Sequence, residues 1–440
     1  MSASAASQIA VHKTEALLFF TLMQLAIIIG LARLAGVVAR KLGQAQSVGE
    51  IIAGILLGPS LLGWLAPEMF AFVFRSVPSD PMTIMSQIGL ILLMFQIGMD
   101  FDFSHLSEPE NRRVVISVAT MGIALPFILG LGLGYFSAPH LAASSETTAY
   151  ALFIATAMSI TAVPILGRIM GEFDLTRTRL GVVTITSAAI NDVIGWVLLA
   201  VVTAMTLASF SAGDTAFKLV GLVSYAAILW WAVRPLLLRV LRSVHPDGRA
   251  LPPNLLAFMF AAIFLSAMVT YKLGVFAIFG GFMLGVLVYD QHDFVAAWKE
   301  KVERFVSVFF LPIFFTYTGL RTDIGALASP EAWGWCALVL LVATLGKFGG
   351  CYWAGRWAGC SRVEAKVIGI MMNTRALMEL VVINVGYDLG VISGPVFTML
   401  VVMAVVSTLI TAPALRFWLP RLALEEGPGS RAALQSSARI

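Results

Sequence analysis

Long apolar runs dominate the chain, and short polar segments separate them. A run of about 20 apolar residues is long enough for a helix to cross the roughly 30 Å hydrocarbon core of a bilayer. Thirteen such runs occur, at about 15–36, 47–65, 82–100, 113–136, 147–171, 178–207, 216–238, 254–271, 275–289, 303–319, 330–355, 363–387 and 392–418. The pattern predicts an all-α polytopic membrane protein with about 13 transmembrane helices and its termini on opposite sides.

The basic residues are distributed unequally between the two sets of connecting segments. Of the 29 Lys and Arg residues, 22 fall in segments assigned to one side of the membrane and five in segments assigned to the other. Cytoplasmic loops are enriched in Lys and Arg. We therefore expect a multi-pass protein of the plasma membrane (bacterial inner membrane), with its N-terminus outside and its C-terminus in the cytoplasm.

The composition supports a membrane location. The chain has 440 residues, of which 59% are hydrophobic and 12% charged, and its mean hydropathy is +0.90. Soluble domains have about 45–50% apolar and about 25% charged residues, so a cytosolic enzyme is excluded. The expected partner is membrane lipid. Nucleic acid is not expected, because no Lys/Arg block exceeds two residues. No G-x-x-x-x-G-K-[ST] motif occurs, so no cofactor is expected and an ion gradient must supply the energy.

A few ionisable residues lie inside the apolar runs. Lys347 and Arg375 are the two basic residues outside the connecting segments, and Asp192 and Glu379 are deeply placed carboxylates. Glu50 lies nearer the cytoplasmic end of its run. Ionised groups at such depth cost at least ~2.5–3.5 kcal/mol each, so they usually pair and line a polar path. We interpret Asp192 as part of a transport site, although an Asp–Lys pair that only holds helices together would also fit.

Two of the apolar runs contain residues that interrupt a helix. Pro164 lies within the fifth run, where it removes a backbone donor and clashes with the preceding turn. The hydroxyls of Ser159 and Thr161 can satisfy the freed backbone groups or face a cavity. The twelfth run is interrupted by three polar residues, Asn373, Thr374 and Arg375.

These interruptions occupy matching places in two predicted repeats of six helices. The first repeat spans about 15–207 and the second about 254–418, with 216–238 as a linker helix, so the repeats enter the membrane from opposite sides. Discontinuous helices at corresponding positions of inverted repeats form the midplane ion site of many secondary transporters. Residues 1–419 are predicted to be the transmembrane domain, and 420–440 a short cytoplasmic tail.

A lone carboxyl group near the bilayer centre can hold either a proton or a metal cation. Burial favours the neutral form of such a group, whereas an ammonium such as that of Lys347 favours the charged form. Na⁺ and K⁺ prefer oxygen ligands, which hydroxyls and unwound carbonyls can add to Asp192. A carboxylate that accepts either ion, but not both, produces obligatory antiport by competition.

Several segments resemble one known family, the monovalent cation:proton antiporter-2 family, which includes bacterial Na⁺/H⁺ and K⁺/H⁺ exchangers and plant cation/H⁺ exchangers. The resemblance extends from about 20 to 418. It is carried by SVGEIIAGILLGPSLLG (47–63), ILLMFQIGMDFD (91–102), SITAVPILGRIMGEFDL (159–175), SAAINDVIGWVLLA (187–200) and MMNTRALMELVVINVG (371–386).

The resemblance implies a thirteen-helix inverted-repeat fold in which discontinuous helices 5 and 12 cross. It also implies a homodimer whose core domain moves against a dimerisation domain. Asp192 corresponds to the ion-binding and proton-carrying aspartate, and Asn191 to the polar residue before it. Lys347 corresponds to a charge-compensating basic residue. Ser159 and Thr161 are expected to join Asp192 and Asn191 in binding the ion. Thr161 and Pro164 match the first helix break, and the second break corresponds to Asn373, Thr374, Arg375 and Glu379.

Two departures from the family pattern affect what can be carried over. Electrogenic members commonly have Asp-Asp where this chain has Asn191-Asp192, which favours electroneutral one-for-one exchange, although Lys347 is typical of the Asp-Asp type. Ala376 replaces the glycine of the usual Thr-Arg-Gly break, a change that disfavours unwinding there. Ligand-gated members add a cytoplasmic nucleotide-binding domain. About 20 residues follow Leu419, so no such domain is expected in this chain.

Several assignments stay open at the level of sequence. Arg375 and Glu379 are four residues apart and can form a structural ion pair or contact the ion. Glu50 either lines the cytoplasmic mouth or is an ordinary helix-end acid. Gly280, Gly281 and Gly285 indicate close helix packing.

The transported metal ion and two rival functions also remain open. The choice between Na⁺ and K⁺ depends on ligand distances. Rival functions are an ion channel or an organic-anion carrier on a related fold and, more remotely, an intramembrane aspartyl protease using Asp290.

Overall fold

Helices form almost all of the regular structure. The computed structural model describes residues 3–44, 46–99, 109–142, 145–161, 163–173, 175, 178–207, 212–244, 251–273, 276–375 and 377–425. Within these ranges no β-strand occurs. The predicted all-α fold is confirmed.

The α-helices are numbered here in chain order. The first half contains α1 (Ala3–Lys41), α2 (Gln46–Leu57), α3 (Leu62–Leu65), α4 (Pro67–Phe70), α5 (Asp80–Met99), α6 (Pro109–Leu141), α7 (Thr147–Ser159), α8 (Val163–Glu172), α9 (Arg179–Leu207), α10 (Ala212–Ile228) and α11 (Arg234–Val244). The second half contains α12 (Pro253–Lys272), α13 (Ala277–Val286), α14 (His292–Trp298), α15 (Leu311–Leu320), α16 (Pro330–Thr344), α17 (Gly350–Trp357), α18 (Arg362–Met372), α19 (Leu377–Asp388) and α20 (Gly394–Glu425).

Shorter turns of other helix types extend or join these helices. Among the described residues, five π-helical turns occupy Ala71–Arg75, Leu229–Val233, Lys299–Glu303, Val306–Phe310 and Leu345–Gly349, and a 3₁₀ turn occupies Ile324–Leu327. The π turns connect several consecutive α-helices into longer continuous helices. For example, α16 and α17 run into each other through Leu345–Gly349.

The described part of the chain has nine helices that are long and apolar enough to cross a membrane, and ten if one pair bent by 40° counts as a span. That bent pair, His292–Glu303 with Val306–Leu327, begins before the predicted run at 303–319. The first turns of this pair are helical but contain charged residues, so the hydropathy pattern does not include them in the predicted run. The runs predicted at 147–171, 275–289 and 363–387 contain shorter helices. Large apolar side chains such as Phe217 (80% exposed) cover the outer surface, as lipid contact requires.

The helices pack into two groups. The first, here named the broken-helix bundle, contains α6–α9 and α16–α20, and the second, here named the companion bundle, contains α1, α2, α5, α12, α13 and α15. Contacts within each bundle are extensive. The principal helix contacts between the bundles are those of α15 with α19 and of α2 with α20.

The predicted close packing at glycines is confirmed in the companion bundle. A methyl group on Gly285 of α13 would overlap the backbone oxygen of Phe95 on α5, and one on Gly281 would overlap that of Ile91. Gly280 is equally close to the backbone of Ser266 on α12. The absence of a side chain therefore lets these helix backbones come into direct contact.

Gly285→Val should destabilise this packing by about 1–3 kcal/mol, because the added methyl groups force α13 away from α5. The measurement is the melting temperature of the purified protein. Gly334→Val on α16 is the matched control, because a side chain there meets nothing within 4 Å. Equal melting temperatures for the two variants would contradict the packing.

Candidate ion-binding site

The first helix break lies between α7 and α8. The side chain of Glu146 caps the start of α7 by accepting hydrogen bonds from the backbone N–H groups of Thr148 (3.1 Å) and Ala149 (2.6 Å). The helix ends at Ser159, and Ile160 is extended, with φ −77° and ψ 150°. Pro164 is the second residue of α8, where a backbone N–H would have no helical partner. The break therefore precedes Pro164, at a position where proline is well tolerated.

The second break lies between α18 and α19. Ser361 and Glu364 form a capping box at the start of α18, in which each side chain accepts a hydrogen bond from the other residue's backbone N–H. The helix ends at Met372, and 373–375 are non-helical before α19 begins at Leu377. Ala376, whose effect on unwinding was left open above, lies outside the described residues. Both interruptions expected from the sequence are thus present as breaks in the helices.

Arg375 connects the two breaks. Its guanidinium donates to the backbone oxygens of Ala157 (3.2 Å) and Met158 (2.8 Å) at the end of α7, and to that of Ala343 on α16 (3.2 Å). It also pairs with both carboxylate oxygens of Glu379 at 3.2 Å, and both side chains are buried. The last carbonyls of a helix have no intrahelical donor and carry negative partial charge, which a cation stabilises.

Thr408 of α20 fixes the backbone at the second break. Its hydroxyl accepts a hydrogen bond from the N–H of Arg375 (3.2 Å) and donates to the carbonyl oxygen of the same residue. Sequence reasoning missed this residue. The only available signal was a hydroxyl within an apolar helix, and such hydroxyls are common in membrane helices.

Lys347 supplies a second cation to the end of α7. It lies in the π turn Leu345–Gly349, a type of helix irregularity that is frequent at functional sites. Its ammonium donates to the backbone oxygen of Gly122 on α6 (2.7 Å) and to that of Ser159. The last three carbonyls of α7 are therefore all neutralised by buried cations, two by Arg375 and one by Lys347.

Asn191 and Asp192 lie in the middle of α9 and are buried. The Asn191 amide nitrogen can donate to the backbone oxygens of Ala119 (2.8 Å) and Ser187 (3.3 Å), and in that orientation its oxygen accepts from Lys347 at 3.3 Å. Asp192 is 3% exposed, and in the part of the chain that the structure describes neither carboxylate oxygen has a hydrogen-bond partner of normal geometry. The ammonium of Lys347 and the N–H of Val163, at the start of α8, still act on its charge.

Further polar groups without partners lie at the two breaks. The Thr161 hydroxyl and both amide atoms of Asn373 are buried, with no hydrogen-bond partner among the described residues. By contrast, Ser159 and Thr374 donate to nearby helix carbonyls at 2.5 Å and 2.7 Å. A buried polar atom without a hydrogen-bond partner is energetically costly, so these atoms are candidate ligands for a water molecule or an ion.

Glu50 lies apart from these groups. It is buried on α2 of the companion bundle, where it accepts a hydrogen bond from Gln46 (2.7 Å) and lies 3.9 Å from the guanidinium of Arg33. The described residues contain no group of three or more His, Cys, Asp or Glu side chains that could hold a metal ion. The carboxyl group at the breaks that has no ion-pair partner is that of Asp192.

Comparison with known proteins shows the class of protein to which this fold belongs. The sequence model of the transmembrane sodium/hydrogen exchangers matches residues 26–420. The chain therefore belongs to the sodium/hydrogen exchanger family, whose members are monovalent cation:proton antiporters, and it is a transporter. The alternative of an intramembrane aspartyl protease is wrong; Asp290 instead pairs with Arg234 at 2.5 Å.

Two relatives and one solved structure illustrate the similarity. The chain is 40% identical over 400 residues to the Na⁺/H⁺ antiporter NhaS4 of Synechocystis sp., covering 90% of this chain and 96% of that one. It is 31% identical to cation/H⁺ antiporter 17 of Arabidopsis thaliana over 89% of this chain, and it spans about half (47%) of that longer protein. The fold matches the sodium proton antiporter MjNhaP1 of Methanocaldococcus jannaschii with a TM-score of 0.63 at 17% identity, covering 92% and 98% of the two chains.

Proposed function

We propose that this protein exchanges one Na⁺ or K⁺ for one proton across the plasma membrane, and that the two ions compete for Asp192. The observation that carries the proposal is a buried carboxylate beside the first helix break that has no hydrogen-bond partner of normal geometry among the described residues. The name of the NhaS4 relative, a Na⁺/H⁺ antiporter, supports the same exchange.

Competition follows from the surroundings of the carboxylate. A buried carboxylate is costly unless a proton or a cation neutralises it. Lys347 is close enough to act on its charge, but it uses hydrogen bonds on backbone oxygens, so the oxygens of Asp192 stay free for an ion. Thr161 and Asn373 offer further oxygen ligands, which Na⁺ and K⁺ prefer. Ser159 contributes through the contact of its carbonyl oxygen with Lys347, and the Asn191 amide oxygen can accept a hydrogen bond from the same lysine.

The exchange is proposed to be electroneutral. One carboxyl group releases one proton when it takes one monovalent cation, so the cycle carries no net charge. Lys347 compensates the negative charge of Asp192 while its ammonium stays hydrogen-bonded to the backbone carbonyls of Gly122 and Ser159. Arg375 and Glu379 are proposed as a structural pair that fixes the crossing of the breaks at Pro164 and at 373–375, and Glu50 as a residue of the cytoplasmic mouth.

Alternating access is proposed to come from elevator-like movement of the broken-helix bundle against the companion bundle. The few principal contacts between the bundles support this division. In this proposal the inverted repeats span about 15–207 and 254–418, with 216–238 as the linker. The companion bundle forms the contact in a homodimer, and the N-terminus faces outside.

Reconstitution into liposomes tests this function. A pH-sensitive dye should report proton movement when Na⁺, K⁺ or Li⁺ is added, and a voltage-sensitive dye should show no potential generated by that exchange. A current that follows the electrochemical gradient without coupled proton movement would indicate a channel. An absence of any cation-dependent proton movement would contradict antiport.

A further inference from the structure

A row of polar contacts joins the two bundles at one end of their interface. Arg321, the residue that follows α15, donates to the carboxylate of Asp388 (2.7 Å) and to the amide oxygen of Asn384 (3.3 Å), both on α19. One turn along α15, the hydroxyl of Thr318 accepts a hydrogen bond from the Asn384 amide nitrogen at 3.0 Å. These four residues are named the α15–α19 ladder.

The companion bundle holds Arg321 in this position. The other guanidinium nitrogen donates to the hydroxyl of Tyr317 (2.7 Å), and the guanidinium lies over the same ring, 4.4 Å from its centre. The Tyr317 hydroxyl in turn forms a 2.5 Å hydrogen bond with Thr83 on α5. Arg321 is therefore directed across the interface by its own bundle.

Two residues of the ladder lie on α19, the helix that begins directly after the second break. Asp388 is nine residues from Glu379, about 13 Å along the axis of α19. Since Glu379 pairs with Arg375, a displacement of α19 along its axis moves the break and separates Asp388 from Arg321. The side chains of Arg321 and Asp388 are 20% and 32% exposed, so water can solvate both charges when they separate.

We propose that the α15–α19 ladder is a latch that closes the non-cytoplasmic end of the interface between the two bundles, and that it opens once in every transport cycle. Arg321 and Asp388 are its positioning residues. The latch rests on the proposed movement of one bundle against the other. The hydrogen bonds of the ladder form at one relative position of α15 and α19 and break at another. Such an interface therefore has two discrete states.

Cross-linking tests whether the latch has to open. In the variant Arg321→Cys/Asp388→Cys, a short bifunctional thiol reagent should join α15 to α19, and the joined protein should lose cation/proton exchange by about tenfold or more. A reducing agent that cleaves the link should restore exchange. The native cysteines at 336, 351 and 360 are buried, and the unsubstituted protein treated with the same reagent controls for them.

A second ion pair provides a matched control. Arg234 and Asp290 lie 2.5 Å apart with side chains 21% and 36% exposed, but they join the linker region to the turn after α13. Cross-linking Arg234→Cys/Asp290→Cys should leave exchange within about twofold, because neither partner belongs to the broken-helix bundle.

A labelling measurement provides a readout independent of exchange. A cysteine introduced in place of Thr318 should react with a membrane-impermeant thiol reagent at least about fivefold faster in Arg321→Gln than in the protein that keeps Arg321 and its bond to Asp388. Full exchange in the cross-linked Arg321/Asp388 pair, or unchanged labelling, would overturn the latch. Failure of the untreated protein to exchange ions would instead overturn the proposed function.

Discussion

Asp192→Asn is expected to reduce cation/proton exchange to the level of empty liposomes while the protein stays folded. The amide has nearly the same shape as the carboxyl group, but it can neither release a proton nor supply a negative charge to Na⁺ or K⁺. Because the Asp192 oxygens have no hydrogen-bond partner of normal geometry among the described residues, the substitution breaks no such bond. It also removes a costly buried charge, so the melting temperature should be unchanged or higher.

Cation-dependent stability separates this explanation from a general loss of function. A ligand at 100 times its dissociation constant stabilises the folded state by about 2.7 kcal/mol. High NaCl or KCl should therefore raise the melting temperature of the unsubstituted protein relative to choline chloride, and the rise should vanish in Asp192→Asn. Asp290→Asn serves as the control and should retain exchange. Normal exchange by Asp192→Asn would show that the site lies elsewhere.

Arg375→Gln is expected to lower the free energy of unfolding by about 3–5 kcal/mol, because it leaves the buried carboxylate of Glu379 without a counter-charge. It also removes donors from the carbonyls of Ala157, Met158 and Ala343, which belong to two different helices. The loss should appear as a lower melting temperature and as greater proteolysis near the break at 373–375.

An exposed ion pair in the same bundle supplies the control for this substitution. Arg179 on α9 lies 3.4 Å from Glu364 on α18, and their side chains are 56% and 17% exposed. Exposed pairs contribute only about 0–1 kcal/mol, so Arg179→Gln should change the melting temperature little. If Arg375→Gln were as stable as Arg179→Gln, the contacts of Arg375 would not be what holds the two breaks together.

The sequence predicted the helical class and both breaks because these features have local causes. The length of each apolar run follows from the thickness of the bilayer, and the break before Pro164 follows from the geometry of one residue. The intramembrane residues Asp192, Lys347 and Arg375 could be found because charges are rare in such runs. The pairing of Arg375 with Glu379 followed from helical spacing alone.

The partners of these charges could not be found in the same way. Lys347 contacts the carbonyls of Gly122 and Ser159, which are 225 and 188 residues away in the chain. A backbone carbonyl has no residue type, so a sequence pattern does not mark it. The hydroxyl of Thr408 beside Arg375 was missed because hydroxyls are common in membrane helices, and no residue pattern marks the π turn at Lys347.

The sequence by itself therefore determined that the chain is helical and apolar, where two of its helices break and which charges the apolar runs carry, since each of these depends on residues close together in the chain. Only the tertiary structure decided which groups those charges neutralise. It directs Arg375 and Lys347 to the end of α7 and brings Arg321 to Asp388 across the two bundles. It also leaves Asp192 without a hydrogen-bond partner of normal geometry among the described residues. The reason is that these contacts depend on how distant helices pack, and hydropathy does not encode that packing.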